Sequence, residues 1–297
     1  MGITDKQERL KVECFGAPFE TRYSSCSNRK PETFDWTIED SSIKVDIDRE
    51  IMSAVVPEHK RVAWICESPA IIPDVMQFCR ENADVLKQKY HRVYTCDKSL
   101  VLIDPEFFNW CPNGSNLSWI PSQNSEIKNL KSKLCSMFCS RKIYCDGHKK
   151  RHFYSNKFKG KIDLFGAYGA SIGQNNTPWP DKRDGLVPYM FSVVVENCVC
   201  DSYLTEKLTD CFASYTVPVY LGCPDVKFHH GYDERGIIRL EENFDPSCLT
   251  RELYESMSEY VIKNHENTYY QCSADDTLVK LIKESDYYGI LNRSDKI

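Results

Sequence analysis

This chain predicts an α/β fold of two Rossmann-like domains facing a cleft, and three observations carry that expectation. Short apolar runs end in loops at residues 61–66, 134–139, 189–195 and 217–221. Segments of helical spacing stand between them. A stretch rich in Pro, Asn, Ser and Trp, residues 103–129, separates two such series. Buried strands alternating with helices build parallel sheets. Such sheets hold ligands beyond the carboxyl ends of their strands.

The first 35 or so residues carry weak periodicity. Residues 61–66 (RVAWIC) read as a buried strand opening into the loop Glu67-Ser68-Pro69. A helix is expected over 74–90, with Val75, Phe78, Cys79 and Leu86 on one face, and a strand over 92–95. After the loop region, strands are expected at 134–139, 161–165, 189–195 and 217–221. Helices are expected at 147–159 and 204–215. Leu253, Met257, Tyr260 and Val261 form an apolar helical stripe. Ser273-Ala274-Asp275-Asp276 has the form of a helix start before residues 278–282. The expected division is a domain over 1–125 and a second over 126–297, the latter including the C-terminal helices.

The chain has 297 residues, enough to bury a substantial core. With 43 acidic and 38 basic residues its net charge is −5, which is not the balance of a nucleic-acid binder. No apolar run approaches the roughly 18–20 residues of a membrane span. The first residues are polar and lack the apolar stretch of a signal peptide. A cytoplasmic protein is therefore expected. The 15 cysteines include no CxxC pair, and Cys198 and Cys200 flank a single Val. They are read as buried or partly buried thiols in a reducing compartment.

Three segments could carry chemistry. In residues 196–207 (ENCVCDSYLTEK) a buried strand delivers Glu196 and Asn197 to its carboxyl edge, and Thr205 caps the helix that follows. Lys207 in a first helical turn is unfavourable for the helix alone. Amide N–H groups and a lysine at one helix start suit a diphosphate, and Glu206 can accept sugar or ribose hydroxyls. A capped helix with a solvated Glu-Lys pair is the competing account. In residues 147–152 (GHKKRH), Arg151 could clamp a phosphate with two bonds. Lys149 and Lys150 are read as a solvated basic face. His148 and His152 stand at i, i+4 without a third ligand, so no metal site is expected. Glu67, at the end of the first clear strand, could be a general base or a surface acid in a turn. Gly166 and Gly169 have the form of a tight turn that lets backbone approach a ligand.

Together these segments resemble the family 10 fucosyltransferases, the α-1,3/1,4-fucosyltransferase family. The resemblance runs over FSVVVEN at residues 191–197, YLTEKL at 203–208 and VPVYLG at 217–222, and more loosely over residues 60–245. It implies a GT-B fold with an acceptor-side N-terminal domain and a donor domain following it. It implies inverting transfer of L-fucose from GDP-fucose to a glycan hydroxyl, with no metal or other cofactor required. By position, Arg151 and Lys207 would hold the diphosphate. Asn197, Tyr203, Glu206 and Gly166 would line the donor site, and Glu67 would be the base. There are departures. Val195 stands where the family usually has Phe, Ser140-Arg141 replaces a Ser-Asn pair, and Cys198 and Cys200 replace small polar residues. The membrane anchor of animal members is not seen. Two alternatives remain open at this stage: another GDP- or UDP-linked sugar (UDP-xylose, for example) as donor, and a non-catalytic glycan- or nucleotide-binding module.

Overall fold

The computed structural model describes residues 9–16, 30–120, 125–166 and 182–286. The chain divides into two compact units. One comprises Met1–Glu67, Ile72–Gly114 and Cys272–Ile297, the other Ser68–Ile71 and Ser115–Gln271. These bounds differ from the 125/126 division expected from composition.

The first unit is a parallel six-stranded sheet in the order β2-β1-β3-β4-β5-β6. Its strands are β1 Leu10–Phe15, β2 Phe34–Thr37, β3 Ile43–Ile47, β4 Arg61–Ile65, β5 Tyr90–Thr95 and β6 Phe108–Trp110. The helix expected over 74–90 is two helices, α1 Pro73–Glu81 and α2 Ala83–Lys89. Asn82 breaks it: its backbone leaves helical geometry (φ −126°, ψ 29°), and its Nδ2 donates to the Phe78 carbonyl at 3.0 Å. Tyr90 joins β5 rather than the helix, its hydroxyl donating to buried Asp46 at 2.7 Å. A short helix, α3 Lys98–Val101, follows β5. The region read as loop, 103–129, holds β6, which pairs with β5.

The second unit is a parallel five-stranded sheet in the order β11-β10-β9-β7-β8. In chain order it runs β7 Lys133–Cys139, α4 Asp146–Lys157, β8 Asp163–Gly166, α5 Lys182–Leu186 and β9 Tyr189–Val195. Then come α6 Glu206–Ala213, β10 Val217–Leu221, α7 Val226–His230, β11 Ile238–Arg239, α8 Arg251–Ser256 and α9 Ser258–Tyr270. The largely apolar run of β9, broken only by Ser192 whose hydroxyl bonds to Ser136, is buried at every position, as a central parallel strand requires. Met137, Phe191, Val193, Val217 and Val261 pack into one core. Leu208, Phe212 and Tyr220 pack into another.

The last described helix, α10 Ala274–Glu284, returns to the first unit. Ser273 caps it, accepting from Asp276 N at 3.0 Å. Ala274, Leu278, Val279 and Ile282 enter the core of the first sheet beside Val12, Val45, Val62 and Trp64. Asp275 accepts the Trp36 indole N–H at 2.6 Å, and Asp276 accepts the amides of Glu32 and Thr33. The expected helix start is thus present, but on the unit opposite to the one assigned from sequence. Among the described residues, no helix is long and apolar enough to cross a membrane. Fourteen described cysteines are thiols, and two of them, Cys248 and Cys272, are exposed rather than buried.

Candidate functional site

The second sheet reverses its order between β7, whose neighbours are β8 and β9, and the strands beyond. Open parallel sheets bind ligands outside the carboxyl ends of the strands at such a switch point. There β9 releases Glu196 and Asn197, and α4 begins close by. A recess of about 440 Å³ lies at this edge, lined among others by Cys145, Asp146, Gly147, Glu196, Asn197 and Cys198.

The first turn of α4 lies directly on the backbone that leaves β9. The Gly147 amide donates to the Asn197 carbonyl at 3.2 Å. A Cβ on Gly147 would stand 2.1 Å from the Glu196 carbonyl oxygen and 2.4 Å from that of Asn197. Only glycine permits this approach. One turn further, the buried Arg151 donates to the Val195 carbonyl from Nη2 at 2.6 Å and from Nε at 3.2 Å. Nη2 also donates to Asn197 Oδ1 at 3.3 Å. Arg151 therefore ties α4 to the end of β9 as well as standing at the candidate site. Lys149 and Lys150, read from sequence as a solvated face, both line the recess, and Lys149 pairs with Asp146 at 3.3 Å.

The start of α6 is a buried charge cluster. Thr205 caps the helix, accepting from Lys207 N at 3.3 Å. The Glu196 carboxylate accepts the Thr205 amide at 2.9 Å and the Thr205 hydroxyl at 2.9 and 3.1 Å. Lys207 Nζ lies 3.5 Å from both Glu196 and Glu206 and donates to Thr205 Oγ1 at 2.9 Å. On the other side of Glu206, Lys182 Nζ lies 3.3 Å from its carboxylate and 2.7 Å from that of Asp210. Lys182 also sits 4.0 Å above the Trp119 ring. Asp210 further accepts the Ser118 hydroxyl and the Trp119 amide, each at 2.7 Å. Burial alone would raise the Glu206 carboxyl. Lys207 and Lys182 outweigh it and bring the group down to about 2. Burial likewise opposes the Lys182 ammonium, but Asp210 and Glu206 hold it above the usual lysine range. The Asp210 carboxyl is pushed up by burial in spite of Lys182.

The residues expected from sequence thus fall into groups. Asn197, Arg151, Glu206 and Lys207 gather around the end of β9 and the start of α6. Tyr203 is 2% exposed, a buried part of the loop between those two elements. Gly166 ends β8 with φ +91°, and a Cβ there would meet the Cys139 carbonyl at 2.6 Å. Gly169 lies outside the described residues. Glu67 belongs to the first unit, where Asp48 fixes its backbone. Asp48 itself has φ +51° and accepts the amides of Cys66 at 2.9 Å and Glu67 at 3.2 Å. His148 and His152 face different partners, Cys145 Sγ at 3.3 Å and the Ser140 carbonyl at 2.9 Å. Burial lowers the His148 imidazole to about 4. Among the described residues, no group of three or more His, Cys, Asp or Glu side chains is arranged to hold a metal ion.

Sequence reading missed Glu196 as an anchor, Asp210 and Lys182. The spacing of Asp210 four residues after Glu206 places both on one helix face, a signal that was legible. Lys182 lies far from both in sequence and only the fold brings it to them.

Residues 128–274, just under half of the chain, match the model described as the glycosyltransferase family 10 (fucosyltransferase) C-terminal region, so the chain carries a family 10 domain. It is 30% identical over 120 residues to GDP-fucose protein O-fucosyltransferase 3 of Danio rerio, covering 37% of this chain and 26% of that protein. It is 30% identical over 98 residues to alpha-(1,3)-fucosyltransferase C of Drosophila melanogaster, covering 32% of this chain and 22% of that protein. The matches thus span about a quarter of the length of these relatives. A crystal structure of an α1,3-fucosyltransferase with GDP is similar in fold, with a TM-score of 0.50 and 13% identity over 98% of this chain and 93% of that one. The fold is accordingly α/β of the GT-B class, with two Rossmann-like units.

Proposed function

We propose that this chain is an inverting glycosyltransferase that moves L-fucose from GDP-fucose to a hydroxyl of a glycan acceptor. The observation that carries the proposal is the meeting of two helix starts and two cationic side chains, Arg151 and Lys207, at the carboxyl edge of β9. All of this lies within the segment that matches the family model. Helix-start amides and fixed cations suit the charge of a nucleoside diphosphate. GDP as that diphosphate is supported by the α1,3-fucosyltransferase of similar fold, whose crystal structure is with GDP, and by the relative in Danio rerio named for GDP-fucose.

In the proposed reaction the acceptor hydroxyl loses its proton to Glu67 and attacks the anomeric carbon. The bond to the diphosphate breaks on the opposite face, so configuration inverts. Lys207 and Arg151 neutralise charge growing on the leaving group. Such groups typically contribute about 10²–10³ each to rate. Lys207 rests against Glu196 and Glu206 at 3.5 Å, so engaging a diphosphate means exchanging carboxylate for phosphate oxygens without losing charge compensation. The chemistry carries no metal requirement, and activity is expected to persist in EDTA.

The test is a panel of nucleotide sugars offered to the purified protein, with glycan and protein acceptors in parallel. Release of GDP from GDP-fucose alone, with fucose appearing on an acceptor, is expected. Turnover of another GDP- or UDP-linked sugar instead would overturn the donor assignment. Nucleotide binding without transfer or donor hydrolysis would mark a non-catalytic module.

A further inference from the structure

The loop between β9 and α6 carries two thiols that the proposed transfer does not use. Cys198 and Cys200 are both partly exposed, and their Sγ atoms stand 3.1 Å apart. A disulfide bond is about 2.05 Å long, so roughly 1 Å of approach separates the pair from a covalent link. No strand or helix spans residues 198–200, and no ladder hydrogen bond has to break for them to move. Nine of the fourteen described cysteines are buried. A tenth, Cys66, gives its thiol to Asp48 at 3.2 Å, and burial raises it well above the ordinary thiol range.

We propose that Cys198 and Cys200 form a redox modification site, a dithiol whose reaction partner is a small disulfide such as oxidised glutathione. One cysteine thiolate attacks the reagent, forming a mixed disulfide and releasing one glutathione thiolate. The second cysteine thiolate attacks the protein-bound sulfur of that mixed disulfide and expels the other glutathione. The protein gains one internal S–S bond. It loses two protons and two electrons, and the reagent becomes two thiols. Attack from 3.1 Å within one loop outruns capture of a second reagent molecule, because the neighbouring thiol acts at high effective concentration.

Closure would be felt in the recess. Cys198 lines it and directly follows Asn197, which accepts from both Gly147 N and Arg151 Nη2. Drawing Cys198 toward Cys200 pulls on that joint. The oxidised form is therefore expected to bind GDP about tenfold more weakly. This last consequence rests on the donor site proposed above, whereas the dithiol itself does not.

The experiment equilibrates the intact protein with mixtures of reduced and oxidised glutathione, quenches with acid, alkylates and measures peptide masses. GDP affinity is measured on both end states. The peptide spanning both cysteines is expected to resist alkylation and to be lighter by two hydrogens. The exposed Cys248 and Cys272 are expected to carry glutathione adducts in the same sample. Cys198→Ser and Cys200→Ser should each trap an adduct on the remaining thiol. Adducts on both cysteines without internal closure, or no reaction there while Cys248 reacts, would overturn the proposal. Closure with unchanged GDP affinity would sever its link to the recess. Absence of GDP binding in the reduced protein would count against the donor assignment alone, since the mass measurement stands by itself.

Discussion

Lys207 and Arg151 carry the same charge but hold different structural duties. Lys207 is partly exposed and bonded to side chains, whereas Arg151 is buried and bonded to the backbone of β9. Lys207→Ala is expected to weaken GDP binding by about 10–100-fold, the worth of a charge-assisted bond, and to lower the unfolding midpoint as well, because it leaves the buried Glu196 and Glu206 carboxylates short of a cation. Arg151→Ala should weaken binding too, and also cost about 1–3 kcal/mol of stability by leaving the Val195 carbonyl without its donor. Titration calorimetry and urea unfolding on both variants separate the two effects. Glu67→Ala should spare GDP binding and lower turnover by about 10²–10⁴. Full activity in that variant would remove Glu67 from the mechanism. The Glu206 carboxyl, held near 2 in the folded state, contributes stability above its unfolded value of about 4.5, and that contribution is lost as pH falls from there toward 2. Urea midpoints of Glu206→Gln should therefore fall less steeply than wild type across that window.

At the scale of elements, the join between β9 and α4 is the sharpest constraint. Gly147→Ala sets a methyl group against two carbonyl oxygens, with no flexible side chain to give way. Overpacking of this kind costs typically about 1–3 kcal/mol. Urea unfolding should show that loss, together with weaker GDP binding, because the same backbone carries Asn197. Both strands that flank α6 were legible because a fully buried parallel strand is a nearly continuous apolar run. Residues 189–195 and 217–221 were delimited from sequence to the residue. β1, β2, β3 and β6 were not, because their runs are short and carry charged residues: Glu13 lies within LKVECF and Asp46 within IKVDI. Burial of Glu13 is offset by Lys44 at 3.1 Å, and burial of Asp46 by Arg61 at 3.0 Å, partners that only strand pairing supplies. The site shows the same limit. Thr205, Glu206 and Lys207 were readable as a capped helix start. Their coupling to Lys182 and Asp210 depends on the fold.

On the scale of the whole molecule, the sequence led to an α/β protein of two units but misplaced its last helix. The apolar face of α10 is a helical stripe like any other, and nothing in its spacing says which sheet it covers. Leu278→Ala is expected to cost about 2–5 kcal/mol. The loss should fall on the first unit, because Leu278 is fully buried among Val12, Val45 and Trp64. Hydrogen exchange resolved by peptide should show faster exchange in β1–β6 and unchanged protection in β7–β10.

That return of α10 also orders the birth of the molecule. During synthesis, every residue of the second sheet leaves the ribosome before the residues of α10 do. The second unit can close its core while still tethered, whereas the first emerges earlier yet lacks one wall until translation has passed residue 284. Contacts of such long sequence separation form slowly, and the waiting sheet leaves Val12, Val45 and Val62 uncovered meanwhile. A chain ending at residue 271, carried on a tether long enough to bring all of α9 out of the ribosome, should present a protease-resistant second unit and a first unit that is cut, and it should be the species that chaperones hold.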